Sequence, residues 1–253
     1  MVTENNEAKK QYDVIFSLGV NCACAQYLRD YRLRVKSGPL DWVISEDLYA
    51  PFKTLLDEFK VFTDFSYLSI QKSEENSSNL TYLHTKNKYS LSHDFFKNTS
   101  FEEQTEEVKK KYLRRINRLY DDLNSSKDIL FCWYGETGRI LDKKEILFYI
   151  KEIRNKYKAN INFLFISYSD IDKPAKQEPE QGVYLYDLPK IYLVGKNSNL
   201  NWDKQHIGPI LSSIKLKSNK QLILFKIKRA FYRILGSFIL DEVKRRRFRK
   251  KHE

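Results

Sequence analysis

Short apolar runs alternate along the chain with longer stretches whose apolar positions recur at helical spacing. The run YDVIFSLG, residues 12–19, is closed by glycine and predicts a buried strand. Asn21 then stands where a side-chain oxygen can cap a helix running to about residue 33. KSGPLDWVIS, residues 36–45, predicts a turn with a short extended piece, and Ser45 predicts the N-cap of a helix over 46–59. Residues 69–80 are polar and rich in Ser and Asn, which predicts an exposed loop. Two half-alternating runs around Lys86-Asn87-Lys88 predict a hairpin ending at His93.

In the second half, Thr99 or Ser100 caps a long helix, FEEQTEEVKKKYLRRINRLYDDL, whose acidic first turns and basic middle suit the helix dipole. DILFCWYG then predicts a strand, DKKEILFYIKEIRNKY a helix and INFLFISYS a strand. GVYLYDLP and KIYLVG predict two more strands, and DKQHIGPILSSI a short helix. Such alternation predicts an α/β fold. The expected form is a mostly parallel sheet with helices on both faces, in three layers, joined by right-handed crossovers.

Composition adds that the domain is packed. Hydrophobic residues are 42% and aromatics 14%, with 8 Gly and 6 Pro, a balance unlike that of a disordered or linker-rich chain. Charge changes the picture more. The net charge is +12, but residues 217–253 hold thirteen Lys or Arg against three Asp or Glu, so the rest of the chain is nearly neutral. The expected organisation is a polar extension over 1–11, an α/β domain over 12–216 and a basic tail over 217–253. Lys226, Lys228, Arg229 and Arg233 interrupt the apolar tail too often for a membrane span. The tail instead predicts an amphipathic helix on an anionic membrane surface, where each basic residue near acidic lipid adds about 1 kcal/mol. A helix packed on the body with a solvated basic end is the alternative, and nucleic acid is the least favoured partner.

The chain has three cysteines, Cys22, Cys24 and Cys132, and opens on polar residues with no apolar stretch before Val14. This predicts a reducing, cytoplasmic setting on the inner face of the membrane. Cys22 and Cys24 have no second Cys or His pair at ligand spacing, so no metal is expected, and no cofactor is called for.

Cys22 falls at the head of the first predicted helix, where the dipole and unpaired N–H groups favour a thiolate. Gly19 allows a tight turn, and the N–H groups of Val20, Asn21 and Cys22 could form an oxyanion pocket. Cys24 lies about 200° further round the helix and is expected in the core. A nucleophilic cysteine needs a base. His93, followed by Asp94, is the first candidate, and His206, with Asp203 three residues before it, is the second. His84 and His252 are set aside. Asp41 in GPLDW either orients a histidine or caps a turn, and Arg29, Arg32 and Arg34 could clamp an anionic substrate.

Taken together, the blocks YDVIFSLGVNCACAQYLRDYRLRVKSGPLDWVIS, LSHDF and KKKYLRRINRLYDDLNSSKDILF resemble a bacterial domain-of-unknown-function family described as papain-like cysteine peptidases, over residues 12–211. The resemblance implies thiol-dependent hydrolysis with Cys22 as the motif cysteine and His93 as the motif histidine. It also implies Asp94 beside His93, Asp41 in the third block and Asp203 near an aspartate of the C-terminal block. A strand, a glycine turn and a nucleophile at a helix head are also similar to the SGNH esterases and to coenzyme-A-binding capsule proteins carrying Gly-Asn-Cys. There the base comes from a late Asp-x-x-His, the spacing of Asp203 and His206. That alternative implies acyl transfer or ester hydrolysis in cell-surface polysaccharide assembly. Small molecules, glycans and peptides are the substrates weighed, and a non-catalytic binding module with core cysteines is the remaining reading.

Overall fold

The computed structural model describes residues 10–45, 47–71, 78–125, 127–135, 142–190 and 203–217, together with residues 223 and 227. The chain divides into two compact units, Met1–Lys215 and Leu216–Glu253. The two larger sheets and all the candidate site residues belong to the first. The expected strand KIYLVG beyond Lys190, and nearly all of the basic tail, lie outside the described residues.

In chain order the elements are β1 (Gln11–Tyr12), β2 (Val14–Gly19), α1 (Cys22–Asp30), β3 (Val43–Ser45) and α2 (Ala50–Leu56), then β4 (Leu68–Ile70), β5 (Asn79–His84) and β6 (Tyr89–Phe96). There follow α3 (Phe101–Leu123), β7 (Asp128–Tyr134), α4 (Lys143–Lys156), β8 (Asn160–Ser169), β9 (Ala175–Glu180), β10 (Val183–Pro189) and α5 (Lys204–Ser212). The fold is therefore α/β, but with two larger sheets where one was expected, beside a two-stranded pairing of β1 with residues 215–216. One has the order β2-β7-β8-β10-β9 and the other β3-β6-β5-β4.

In the first sheet β2, β7, β8 and β10 pair in parallel, in a register that sets Phe16 beside Phe131 and Phe131 beside Phe163. These strands are continuous apolar runs because both faces are covered. Phe52 of α2 stacks on Phe165 at 6.1 Å between centroids and on Tyr149 of α4 at 5.9 Å. On the opposite face Cys24 and Leu28 of α1, Cys132, Ile166, and Ile207 and Leu211 of α5 meet around one small cavity. Phe52 is fully buried, so Phe52→Ala would cost about 3–5 kcal/mol.

The second sheet is antiparallel throughout. The predicted hairpin is its centre, with His84 opposite Tyr89, but β6 runs on past His93 to Phe96. Lys88 takes a left-handed φ of 58° in the turn. Helix α3 forms because Val108, Tyr112, Ile116, Leu119 and Leu123 make one buried stripe, and the predicted cap Ser100 accepts from the Glu103 N–H at 3.3 Å.

Four local expectations need correction. Ser45 is the end of β3 and not a helix cap: its N–H donates to Val20 O, and its hydroxyl donates to Asp47 O at 2.5 Å. Helix α2 therefore starts later, at Ala50, with Pro51 in its first turn, where the missing N–H costs nothing. Helix α1 stops at Asp30, because Arg32 turns into a left-handed φ of 61°. Strand β9 carries AKQEPE, so polar that no apolar run announces it; it pairs antiparallel at the sheet edge, the place where such residues belong.

Candidate active site

The corner between β2 and α1 depends on Gly19. Its φ of 74° is left-handed, a conformation that a side chain would strain. The Gly19 N–H donates to Ser17 Oγ at 3.1 Å, while the Val20 carbonyl accepts from Ser45 N–H at 2.7 Å and ties the corner to β3. Asn21 caps α1 as its sequence predicts, its Oδ1 accepting from the Ala23 N–H at 2.9 Å. Cys22 follows, half-buried, as the first helical residue.

The other two cysteines have a different environment. Cys24 is buried, its thiol donates to Cys132 O at 3.1 Å, and burial pushes that thiol up to about 12. Burial pushes the Cys132 thiol up as well. Both stay protonated near neutral pH and serve as core, as expected of Cys24.

Seven residues bring a helix nearly two full turns, so Cys22 and Arg29 project from one face of α1. The Arg29 guanidinium stands 6.0 Å from the Trp42 ring, and Arg34 lies over the same ring at 5.2 Å. The register that sets Val43 opposite Leu91 brings Trp42 next to His93, and the rings meet edge-on at 5.9 Å. His93 is exposed.

Asp41 and Asp94 do not orient that histidine. Asp41 is 1% exposed, and its Oδ2 accepts from Arg34 Nε at 2.7 Å and from Gly38 N–H at 2.9 Å. Burial pushes its carboxyl up, and the Arg34 charge and Gly38 N–H oppose that. Of the two roles open to it, Asp41 takes the turn-capping one and so fixes the segment that presents Trp42. Asp94 follows His93 on a strand and points to the other face. There its carboxylate accepts from Tyr112 OH at 2.6 Å and pairs with Lys111, anchoring α3 to β6.

On the opposite flank of α1, Asp203 caps α5 and is also 1% exposed. His206 Nδ1 lies 2.7 Å from Asp203 Oδ1, and Tyr168 OH donates to Oδ2 at 2.8 Å. Helix α5 is seated by Gly208, where a Cβ would stand 2.6 Å from the Tyr31 hydroxyl oxygen. Tyr27 and Tyr31 project about 140–180° round α1 from Cys22. The structure thus brings Arg29, Trp42 and His93 together, and separately Asp203 and His206. Two contributors were missed in the sequence: Trp42, whose signal is its place one residue before a strand beside an arginine cluster, and Tyr168, whose pairing with Asp203 leaves no local signal. Among the described residues no group of three or more His, Cys, Asp or Glu side chains could hold a metal ion.

A family model described as "Putative papain-like cysteine peptidase" matches residues 13–169. The chain belongs to that family. The matched segment ends with the last residue of β8, so it holds Cys22, Asp41, His93 and Asp94 and stops short of Asp203 and His206. Among curated proteins, an uncharacterized protein of Acanthamoeba polyphaga mimivirus is 30% identical over 140 residues, 47% of this chain. The match covers 60% of that relative's length, and its viral source gives no support to the bacterial setting that the resemblance implied. No solved structure matches the chain.

Proposed function

We propose that the protein is a cysteine hydrolase that uses Cys22 as nucleophile and His93 as general base. The observation that carries this reading is the chain of contacts on one flank of α1: Arg29 shares the Cys22 face and reaches Trp42, and Trp42 meets His93. The family description, a cysteine peptidase, supports the same class of chemistry, and the matched segment contains both residues. In the proposed cycle the Cys22 sulfur attacks an acyl carbon, and the thiol proton passes to His93 and then to the leaving group. Water, giving a proton to His93, then attacks the thioester carbon; the C–S bond breaks, the acid leaves, and the proton on His93 returns to the Cys22 sulfur. The Val20 and Asn21 N–H groups at the Gly19 turn stabilise the oxyanion, and Arg29 attracts an anionic part of the substrate. A peptide or a small acylated molecule fits this chemistry equally.

A second reading has its own observation, the 2.7 Å contact between His206 and the buried Asp203 carboxylate. It makes His206 the base of an esterase or acyltransferase acting on glycans. In either case the basic segment over 217–253 holds the enzyme at an anionic membrane surface facing the cytoplasm. Among the described residues no helix is long and apolar enough to cross a membrane.

Iodoacetamide titration tests the nucleophile without a known substrate. Cys22 alone is expected to react, with an apparent pKa below about 8.5. A Cys22 no more reactive than Cys24 overturns the reading and favours a non-catalytic binding module. Sedimentation with anionic vesicles, comparing the full chain with one ending at residue 216, tests the membrane role; equal failure to bind removes it.

A further inference from the structure

Helix α3 presents Arg115 and Arg118 three residues apart on one face, toward the turn over residues 34–41. Arg118 Nη2 donates to the Ser37 carbonyl at 3.3 Å, and Arg34 Nη2 donates to the Ser37 hydroxyl at 3.0 Å, so two guanidinium groups converge on one residue. Positive charge exceeds negative charge here. Asp41 Oδ2 is engaged by Arg34 and Gly38, and Asp122 already takes Lys36 and Lys127. Arg118 is pushed below the usual arginine range, first by burial and then by repulsion from Arg114 and Arg115.

Against this background two donors stand out. Nη1 of Arg115 and Nε of Arg118 are both buried, and neither has an acceptor among the described residues. A buried N–H on a charged group without an acceptor is costly and rare in native structures, and an anion or water that completes it is the usual resolution. The surplus of charge selects the anion. Both residues are half-buried, so part of each side chain meets solvent at the edge of the cluster while the two unpartnered N–H groups lie inside it. Planar guanidinium forks match the spacing of oxygens on a phosphate-type group.

We propose that Arg115 and Arg118 of α3, with Arg34 opposite them on the 34–41 turn, form a binding site for a phosphate-type oxyanion. The site adjoins the Trp42 cluster through Arg34, but the proposal stands whether or not Cys22 is a nucleophile. The oxyanion is either free phosphate or the phosphoryl group of an organic ligand.

The test uses the full chain, its R115Q/R118Q variant, inorganic phosphate and phenyl phosphate, with chloride at matched ionic strength as the control. Phosphate is expected to raise the wild-type melting temperature above the chloride control and to give a saturable heat of binding. The double variant is expected to bind about tenfold more weakly or worse. Tighter binding of phenyl phosphate identifies a phosphomonoester ligand, and tighter binding of inorganic phosphate identifies the free ion. Equal shifts in wild type and variant overturn the proposal. Should the variant fail to fold, the wild-type titration decides: no heat and no phosphorus-31 line broadening up to about 10 mM phosphate overturns it.

Discussion

His93 and His206 lie beside opposite flanks of α1 and are held in opposite ways. His206 has a buried carboxylate at 2.7 Å, while His93 is exposed and leans edge-on against Trp42. An oriented histidine is the usual picture of a general base. Yet the Asp203 carboxylate also has structural uses, since it caps α5 and accepts from the Tyr168 hydroxyl. Burying such a carboxylate without those donors would be costly, so the fold by itself accounts for the pair. Among the described residues the contact given for His93 is with the Trp42 ring, at the surface. The comparison teaches that contacts left over once stability is explained point more directly to chemistry than contacts that look catalytic.

Substitutions can break this contrast. On an activated acyl ester, Cys22→Ala is expected to reduce turnover about a thousandfold or more, with the melting temperature unchanged. His93→Ala is expected to lose about a hundredfold or more and to remove the limb of the pH–rate profile that belongs to the base, while His206→Ala changes the rate little. The reverse ranking would transfer the base to His206. Asp203→Ala should act on stability instead, costing about 2 kcal/mol in a denaturant titration and leaving the alkylation rate of Cys22 as it was. A large fall in that rate would mean that the dyad serves the thiol.

The smallest effect concerns the third described histidine. His84 is buried, with Nε2 donating to Val61 O at 3.1 Å and Nδ1 accepting from Asn87 N–H at 3.2 Å. Burial lowers its pKa below the ordinary 6.5. The unfolded chain therefore takes up this proton first, and the neutral ring's contribution is present above about pH 6.5 and lost below it. The loss is at most about 1.4 kcal/mol per pH unit, and His84→Gln should flatten it in denaturant midpoints measured across that range.

Much of this arrangement is legible in the sequence because it is local. The glycine turn, the Asn21 cap, the hairpin around Lys86-Asn87-Lys88 and the stripe of α3 are set by residues within a few positions of one another, and each forms where its spacing predicts. Ser45 shows where local reading fails. Its hydroxyl suits a helix cap, but the hydrogen bond from its N–H to Val20 joins it to a strand. The separation of two sheets, the polar edge strand β9 and the sorting of the two histidines to different flanks of α1 all depend on pairings between distant residues. Asp41 lies between these cases: its turn is readable, whereas the Arg34 contact that makes the turn a platform for Trp42 requires the chain to reverse first.

In the first sheet β2 has a single neighbour among the described residues, β7, and the Cys24 thiol reaches a carbonyl 108 residues further along the chain. During synthesis β2 therefore has no ladder partner until β7 has left the ribosome, and the turn that presents Cys22 is held before then through Ser45 of β3. Loop-closure entropy must be met before that pairing is rewarded, which makes the N-terminal strand a late and exposed participant in folding. On the proposed role of Cys22, a nascent chain ending before β7 is expected to carry it as an ordinary thiol, and a gain of reactivity would mark the moment the sheet closes.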